Sequence, residues 1–165
     1  MNAKSKIVGA WLSFIIIADQ VTKFIIDRTM PLHHSIPVID NLFSLTYIRN
    51  TGAAFGILAG SHEAFRLPVL IAFSLIAIGF IVVMLKRLPS NETGLITALA
   101  FILGGAIGNL IDRIAYGEVI DFLDFYWSGY HWPAFNLADS FITVGVLIIV
   151  YYLIQAKGAD PFVRD

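Results

Sequence analysis

Three stretches of the chain, 67–85, 94–111 and 140–156, carry no charged side chain. Each approaches the roughly 20 residues needed to cross about 30 Å of hydrocarbon, so each predicts a transmembrane helix. A fourth stretch, about Ile7 to Ile26, runs without charge to Ala18 and then admits Asp19, Gln20 and Lys23 near its far end. A cleavable leader would place small residues there instead, so this segment is expected to persist as the first helix. The pattern changes between the first two spans. From Phe43 to Ile48 apolar and polar side chains alternate, Phe43, Leu45 and Tyr47 on one face and Ser44 and Thr46 on the other. That is the period of a half-buried strand, and Asn50-Thr51-Gly52 supplies a turn after it. The connection before the last span is crowded with aromatics, from Tyr116 through Phe125, Tyr126, Trp127, Tyr130 and Trp132 to Phe135, which suits the headgroup zone. The fold class expected is therefore an all-α membrane protein, one unit over 1–165. It has four transmembrane helices, a small extracytoplasmic β-strand region and an aromatic-rich interfacial segment.

Charge sets the direction. Lys and Arg beside a span resist translocation, and Lys4, Lys6, Lys86, Arg87, Lys157 and Arg164 all fall on one side of the four-span arrangement. Both termini are then cytoplasmic, and the long connections, about 27–66 and 112–139, lie outside with most of the acidic residues. The inner connection is the short turn Leu88 to Thr93, which puts its Asn91-Glu92-Thr93 sequon on the wrong side for glycosylation.

Composition agrees and removes several kinds of chemistry. With 58% hydrophobic and 14% charged residues the chain has too little polar surface for a soluble globule of 165 residues. The absence of cysteine excludes a thiol nucleophile, a disulfide framework and a thiolate metal site. No basic run or aromatic-basic interleaving points to nucleic acid. His62-Glu63 is followed by Ala64-Phe65-Arg66, so the H-E-x-x-H zinc pattern fails, and His33-His34 have no partner at helical spacing. No G-x-S-x-G elbow occurs. A serine-lysine pair built on Lys23 has no specific support.

Ionisable groups cost at least about 2.5 kcal/mol at a membrane helix centre, so each is expected to be paired or to work. Asp19 and Lys23 stand four apart on one helical face, in the order that favours an ion pair. Asp112 is followed by Arg113, a candidate partner at the outer end of the third helix. Asp121 and Asp139 differ, because neither has a basic residue within a helical turn although both fall at the outer boundary. Asp139 opens the fourth helix, where free N–H groups and the helix dipole favour a charged carboxylate, and its plain alternative is an N-cap. Asp121 lies between apolar neighbours in Val119-Ile120-Asp121-Phe122, where desolvation raises a carboxyl pKa. One protonated and one charged acid are what water activation and leaving-group protonation require. Asn109, one turn before Arg113, and Asn136, three residues before Asp139, add amides beside these carboxylates. Gly104 and Gly108 form a G-x-x-x-G step suited to close helix packing in lipid.

Five segments in order carry a resemblance: Asp19-Gln20-Val21-Thr22-Lys23, Arg49-Asn50-Thr51-Gly52-Ala53-Ala54-Phe55, Gly104 through Arg113, Val119-Ile120-Asp121-Phe122, and Phe135-Asn136-Leu137-Ala138-Asp139-Ser140. Over nearly its whole length the chain resembles the bacterial lipoprotein (type II) signal peptidases. The resemblance implies an aspartic endopeptidase of the bacterial inner membrane, its active site toward the outer face, that removes the signal peptide from diacylglyceryl-modified prolipoproteins just before the lipid-bearing cysteine. It implies Asp121 and Asp139 as the catalytic dyad, without metal or organic cofactor. Asp19, Lys23, Asn50, Gly52, Asn109, Arg113 and Asn136 are implied to shape the site and hold the substrate backbone. Membrane lipid and the lipoprotein precursor are the partners expected, and a monomer the expected state. No role is implied for the aromatic stretch from Phe125 to Trp132.

Two other readings fit the bare residues. A small proton-coupled four-helix transporter also needs acids within spans, although such relays usually sit near the midplane; flux without cleavage distinguishes it. In a non-catalytic assembly protein the acids would only bond helices together, and Asp121→Asn and Asp139→Asn would keep function while lowering stability.

Overall fold

The computed structural model describes residues 3–52 and 62–156. Ala53-Ala54-Phe55 of the second motif, and the flanking charges Lys157 and Arg164, lie outside them. The order of elements is α1 (Ala3–Thr29), β1 (Ser35–Ile39), β2 (Phe43–Asn50), α2 (Glu63–Arg87), α3 (Thr93–Tyr116), β3 (Val119–Trp127), β4 (Tyr130–His131) and α4 (Leu137–Ala156). The four helices are each long and apolar enough to cross a bilayer. In hydrocarbon a helix is the way for a single segment to satisfy all its backbone hydrogen bonds internally, which is why these sequences take that form. Large side chains such as Phe73, Ile76 and Phe80 of α2 are exposed, the expected state of a surface that meets lipid.

The third helix is the axis of the bundle, packed against α1, α2 and α4. Glycines make this possible. A Cβ on Gly105 would lie 2.3 Å from the backbone oxygen of Ala138 in α4, and one on Gly104 would meet Ile15 of α1 at 3.0 Å. One on Gly108 would come within 2.6 Å of the Asp19 carboxylate. The packing role expected of Gly104 and Gly108 is thus directed at α1, while Gly105 sets the approach of α4. Gly105→Ala would press first on the α4 backbone and then on Ile142, and is expected to destabilise the protein by about 1–3 kcal/mol, the usual range for overpacking, read as a lower thermal midpoint in detergent; an unchanged midpoint would contradict this packing. Edge-to-face rings reinforce the same contact, Trp11 with Phe101 at 4.7 Å and Phe101 with Phe141 at 5.1 Å.

At one end of the bundle the four strands form an antiparallel sheet in the order β1-β2-β3-β4. The expected strand is present and runs on to Asn50, but its polar face is the better enclosed. Ser44 and Thr46 are 5% and 7% exposed, because Thr46 hydrogen-bonds across the sheet to Asp124 at 3.0 Å. The aromatic-rich connection is built as β3 and β4. Ser128 and Gly129 between them both have positive φ, 50° and 82°, as a tight two-residue hairpin requires. Trp127 and Tyr130 beside this turn are among the most exposed side chains.

Candidate active site

Three helices, α1, α3 and α4, and two strands, β2 and β3, supply the site. The third helix stops at Gly117, whose φ of 75° and bond from its N–H to the Arg113 oxygen form a left-handed cap. The chain then enters β3, whose register against β2 sets Ile48 opposite Asp121 and Asn50 opposite Val119. The fourth helix begins after Asn136, which is its true N-cap. The Asn136 Oδ1 accepts the Asp139 N–H at 2.9 Å, and Asp139 Oδ2 accepts the Asn136 N–H at 3.3 Å. This is a reciprocal capping arrangement in which Asp139 occupies the third helical position. The plain alternative for Asp139, an N-cap, is corrected accordingly. A further free N–H of this helix end, that of Ala138, donates to Asp19 of α1 at 3.0 Å.

Asn136 is fully buried and joins the two acids. Its Nδ2 donates to Asp121 Oδ1 at 2.7 Å, with Asn109 Oδ1 at 3.1 Å and the Ile120 oxygen at 3.2 Å also in range. The second Asp121 oxygen accepts from Asn50 Nδ2 at 2.9 Å, and the first Asp139 oxygen from Asn109 Nδ2 at 2.8 Å. Each amide is oriented in turn. Asn50 Oδ1 accepts the Gly52 N–H at 2.9 Å, the turn expected after β2. Asn109 Oδ1 accepts from the Lys23 ammonium at 3.0 Å.

Lys23 is 2% exposed and lies between two carboxylates, Asp19 at 2.8 Å and Asp112 at 3.0 Å. The pairing of Asp19 with Lys23 follows the helical spacing. The pairing of Asp112 with Arg113 does not occur: consecutive helical residues point in different directions, and Asp112 turns inward. There it receives Gln20 Nε2 at 2.9 Å and the Ile120 N–H at 3.1 Å besides Lys23. Arg113 faces the other way, with long contacts to the oxygens of Asn109 at 3.4 Å and Gly52 at 3.5 Å. Its buried Nε has no hydrogen-bond partner among the described residues.

Asp121 and Asp139 both line a cavity of about 560 Å³, together with Asn50, Asn109 and Arg113. Asp121 is 2% exposed, and its pKa is pushed up to about 7, chiefly by burial and then by the neighbouring Asp139 charge. Hydrogen bonds from Asn50 and Asn136 and the charge of Lys23 oppose that rise. Among the described residues no group of three or more His, Asp or Glu side chains is arranged to hold a metal ion. The candidate residues Asp19, Lys23, Asn50, Gly52, Asn109, Arg113, Asp121, Asn136 and Asp139 are thus gathered into one neighbourhood. Gln20 and Asp112 also belong to it, as does the apolar wall Trp132-Pro133-Ala134-Phe135, which completes the cavity. Only distant pairing places these residues, so no local spacing marks them.

Comparison with known proteins gives one answer. Residues 11–155 match the family model described as signal peptidase (SPase) II. The chain is 51% identical over 157 residues to a lipoprotein signal peptidase of Geobacter sulfurreducens, covering 95% of this chain and 97% of that one. It is 50% identical over 143 residues to a protein so named from Syntrophus aciditrophicus, with 87% and 89% covered. Two solved structures, each a bacterial membrane enzyme, superpose with TM-scores of 0.83 and 0.79. Their identities are 34% and 36%, the first covering 96% of this chain and 93% of that one, the second 90% and 92%.

Proposed function

The chain belongs to the signal peptidase II family, and from that premise we propose that it removes signal peptides from lipoprotein precursors as an aspartic endopeptidase. The bond cut is the one just before the lipid-bearing cysteine. The carrying observation is that Asp121 and Asp139 line one cavity, linked through Asn136, with the Asp121 carboxyl raised to about 7.

In the proposed reaction Asp139 takes a proton from water as its oxygen attacks the scissile carbonyl carbon. Asp121 gives its proton to the carbonyl oxygen. The tetrahedral species collapses with cleavage of the C–N bond, the amine nitrogen leaves with the proton held by Asp139, and Asp121 recovers its own from the collapsing hydroxyl. The two acids carry every proton transfer, so no metal, cofactor or covalent intermediate is required. Arg113 and Asn50 border the same cavity and hold the substrate backbone. Gly52, Asn109, Asn136, Asp19 and Lys23 shape the site through the contacts above. Asp121 on a strand and Asp139 in the first turn of α4 stand at one end of the bundle, which favours hydrolysis over a proton relay across the membrane.

The protein acts as one membrane-embedded unit over 1–165 and as a monomer, with both termini cytoplasmic and the site toward the outer face. Lys4 supports this orientation: it donates to the oxygen of Leu88 at 2.7 Å, so the start of α1 and the basic Lys86–Arg87 end of α2 share the end remote from the sheet.

The sign of the pH dependence follows from the shared proton. Asp121 is neutral below its pKa and charged above it, and the charged pair has no proton to give the carbonyl. Cleavage of a diacylglyceryl-modified precursor is therefore expected to fall as pH rises through about 7, with chelator causing no loss. A rate that climbs through the same window, or one abolished by chelator, would overturn this reading. The limb belongs to the coupled pair rather than to one acid.

A further inference from the structure

One hydrogen-bonded chain of side chains crosses the whole sheet and takes no part in the reaction above. It uses one residue from each strand: Ser35 of β1, Thr46 of β2, Asp124 of β3 and His131 of β4. The Ser35 and Thr46 hydroxyl oxygens are 2.9 Å apart, Thr46 donates to Asp124 Oδ2 at 3.0 Å, and His131 Nδ1 stands 2.9 and 3.1 Å from the two Asp124 oxygens. A carboxylate only accepts, so Nδ1 carries a proton in this contact whether the imidazole is neutral or charged. The Tyr126 ring stacks on the imidazole at 4.9 Å. Asp124 is only 6% exposed, and an enclosed carboxylate that loses a donor is left poorly satisfied.

The residues that follow His131 explain what the chain braces. Trp132 to Phe135 form the apolar wall of the cavity that holds Asp121 and Asp139. That wall is a short strap held at both ends by the strand that carries Asp121. At its start the Trp132 N–H donates to the Phe125 oxygen at 2.8 Å, beside the contact of His131 with Asp124. At its end Phe135 exchanges bonds with Leu123, 3.1 Å from its N–H and 2.8 Å to its oxygen, and stacks on Phe125 at 5.9 Å. The half-exposed imidazole thus bonds to Asp124, the residue next to Phe125, at the first anchor of the wall.

We infer that His131 is a positioning residue: through Asp124 it holds the Trp132–Phe135 wall in place and so sets how tightly the substrate is bound, without taking part in bond cleavage. The inference rests on the reading of the reaction given above. A wall residue that touches substrate equally in ground and transition states affects KM rather than kcat.

The test uses full-length protein in detergent with a diacylglyceryl-modified precursor peptide, comparing wild type, His131→Ala and His131→Asn, the last keeping a donor near the place of Nδ1. His131→Ala is expected to raise KM about tenfold with kcat within about twofold, and His131→Asn to restore most of the loss, as removal of a hydrogen bond to a charged group implies. An unchanged KM, or a loss confined to kcat, would overturn the inference. A second readout is independent of activity. With Trp11→Phe and Trp127→Phe leaving Trp132 as the remaining tryptophan, half-exposed at 60%, His131→Ala is expected to lower the anisotropy of its emission as the strap loosens and His131→Asn to restore it. Identical emission anisotropy in all three would overturn the bracing role. Lack of cleavage by wild type would instead overturn the reading of the reaction, with the emission still deciding whether His131 holds the wall.

Discussion

Asp121→Asn and Asp139→Asn are each expected to lower kcat for precursor cleavage by about 10³-fold or more, within or above the range usual for loss of a general acid or base. In the proposed reaction the two acids act as one device, so the double variant should be little slower than either single one. Asparagine keeps the volume and one acceptor oxygen, which preserves the contacts of Asp121 with Asn50 and Asn136 in part, and those of Asp139 with Asn109 and Asn136 likewise. The variants should therefore fold, and their thermal midpoints should stay close to wild type. Steady-state rates with matched thermal scans separate the outcomes: loss of rate with retained fold supports the dyad, whereas retained rate with lowered stability supports a purely structural role for the acids.

Lys23→Met is expected to produce the largest loss of stability. The ammonium stands between Asp19 and Asp112 and also anchors Asn109, and all three acidic or basic side chains are at most 2% exposed. Removing it leaves two enclosed carboxylates facing one another, and breaking a buried pair from one side typically costs about 3–5 kcal/mol. The same change leaves the Asn109 oxygen with Asn136 as its remaining donor and so loosens the amide that bonds Asp139, and activity should fall as well. Replacing Asp112 by Asn in the Lys23→Met background removes one of the stranded charges and is expected to recover part of the stability, which a double-mutant cycle reads directly. Equal stability of Lys23→Met and wild type would contradict the buried charge cluster described here.

The helices were legible because the bilayer demands long uncharged runs, and α1, α2, α3 and α4 extend those runs by only a few residues at their ends. The strand from Phe43 was legible by its alternation. β1 was not, since Ser35-Ile36-Pro37-Val38-Ile39 has no alternation to separate it from a loop. Neither was β3, where Val119, Ile120, Asp121 and Phe122 are all buried, so enclosure on both faces erased the period of two. Among the site residues, the bond between Asp19 and Lys23 lies within one helix and was readable at spacing four. The contact of Lys23 with Asp112, the bridge of Asn136 between the two acids, and the brace from Ser35 to His131 each join distant parts of the chain. Sequence spacing says nothing about such contacts. Asp112 shows the hazard, since an adjacent Arg113 looked like its partner while helix geometry sent the two side chains to different sites.

The proposed cleavage is read from the mass of the products released when purified wild-type protein meets a precursor carrying its diacylglyceryl group and the same precursor without it. One new N-terminus, at the lipid-bearing cysteine, is expected from the modified precursor only, and none from either folded aspartate variant. Cleavage elsewhere, or undiminished cleavage by Asp121→Asn or Asp139→Asn, would contradict the proposed reaction.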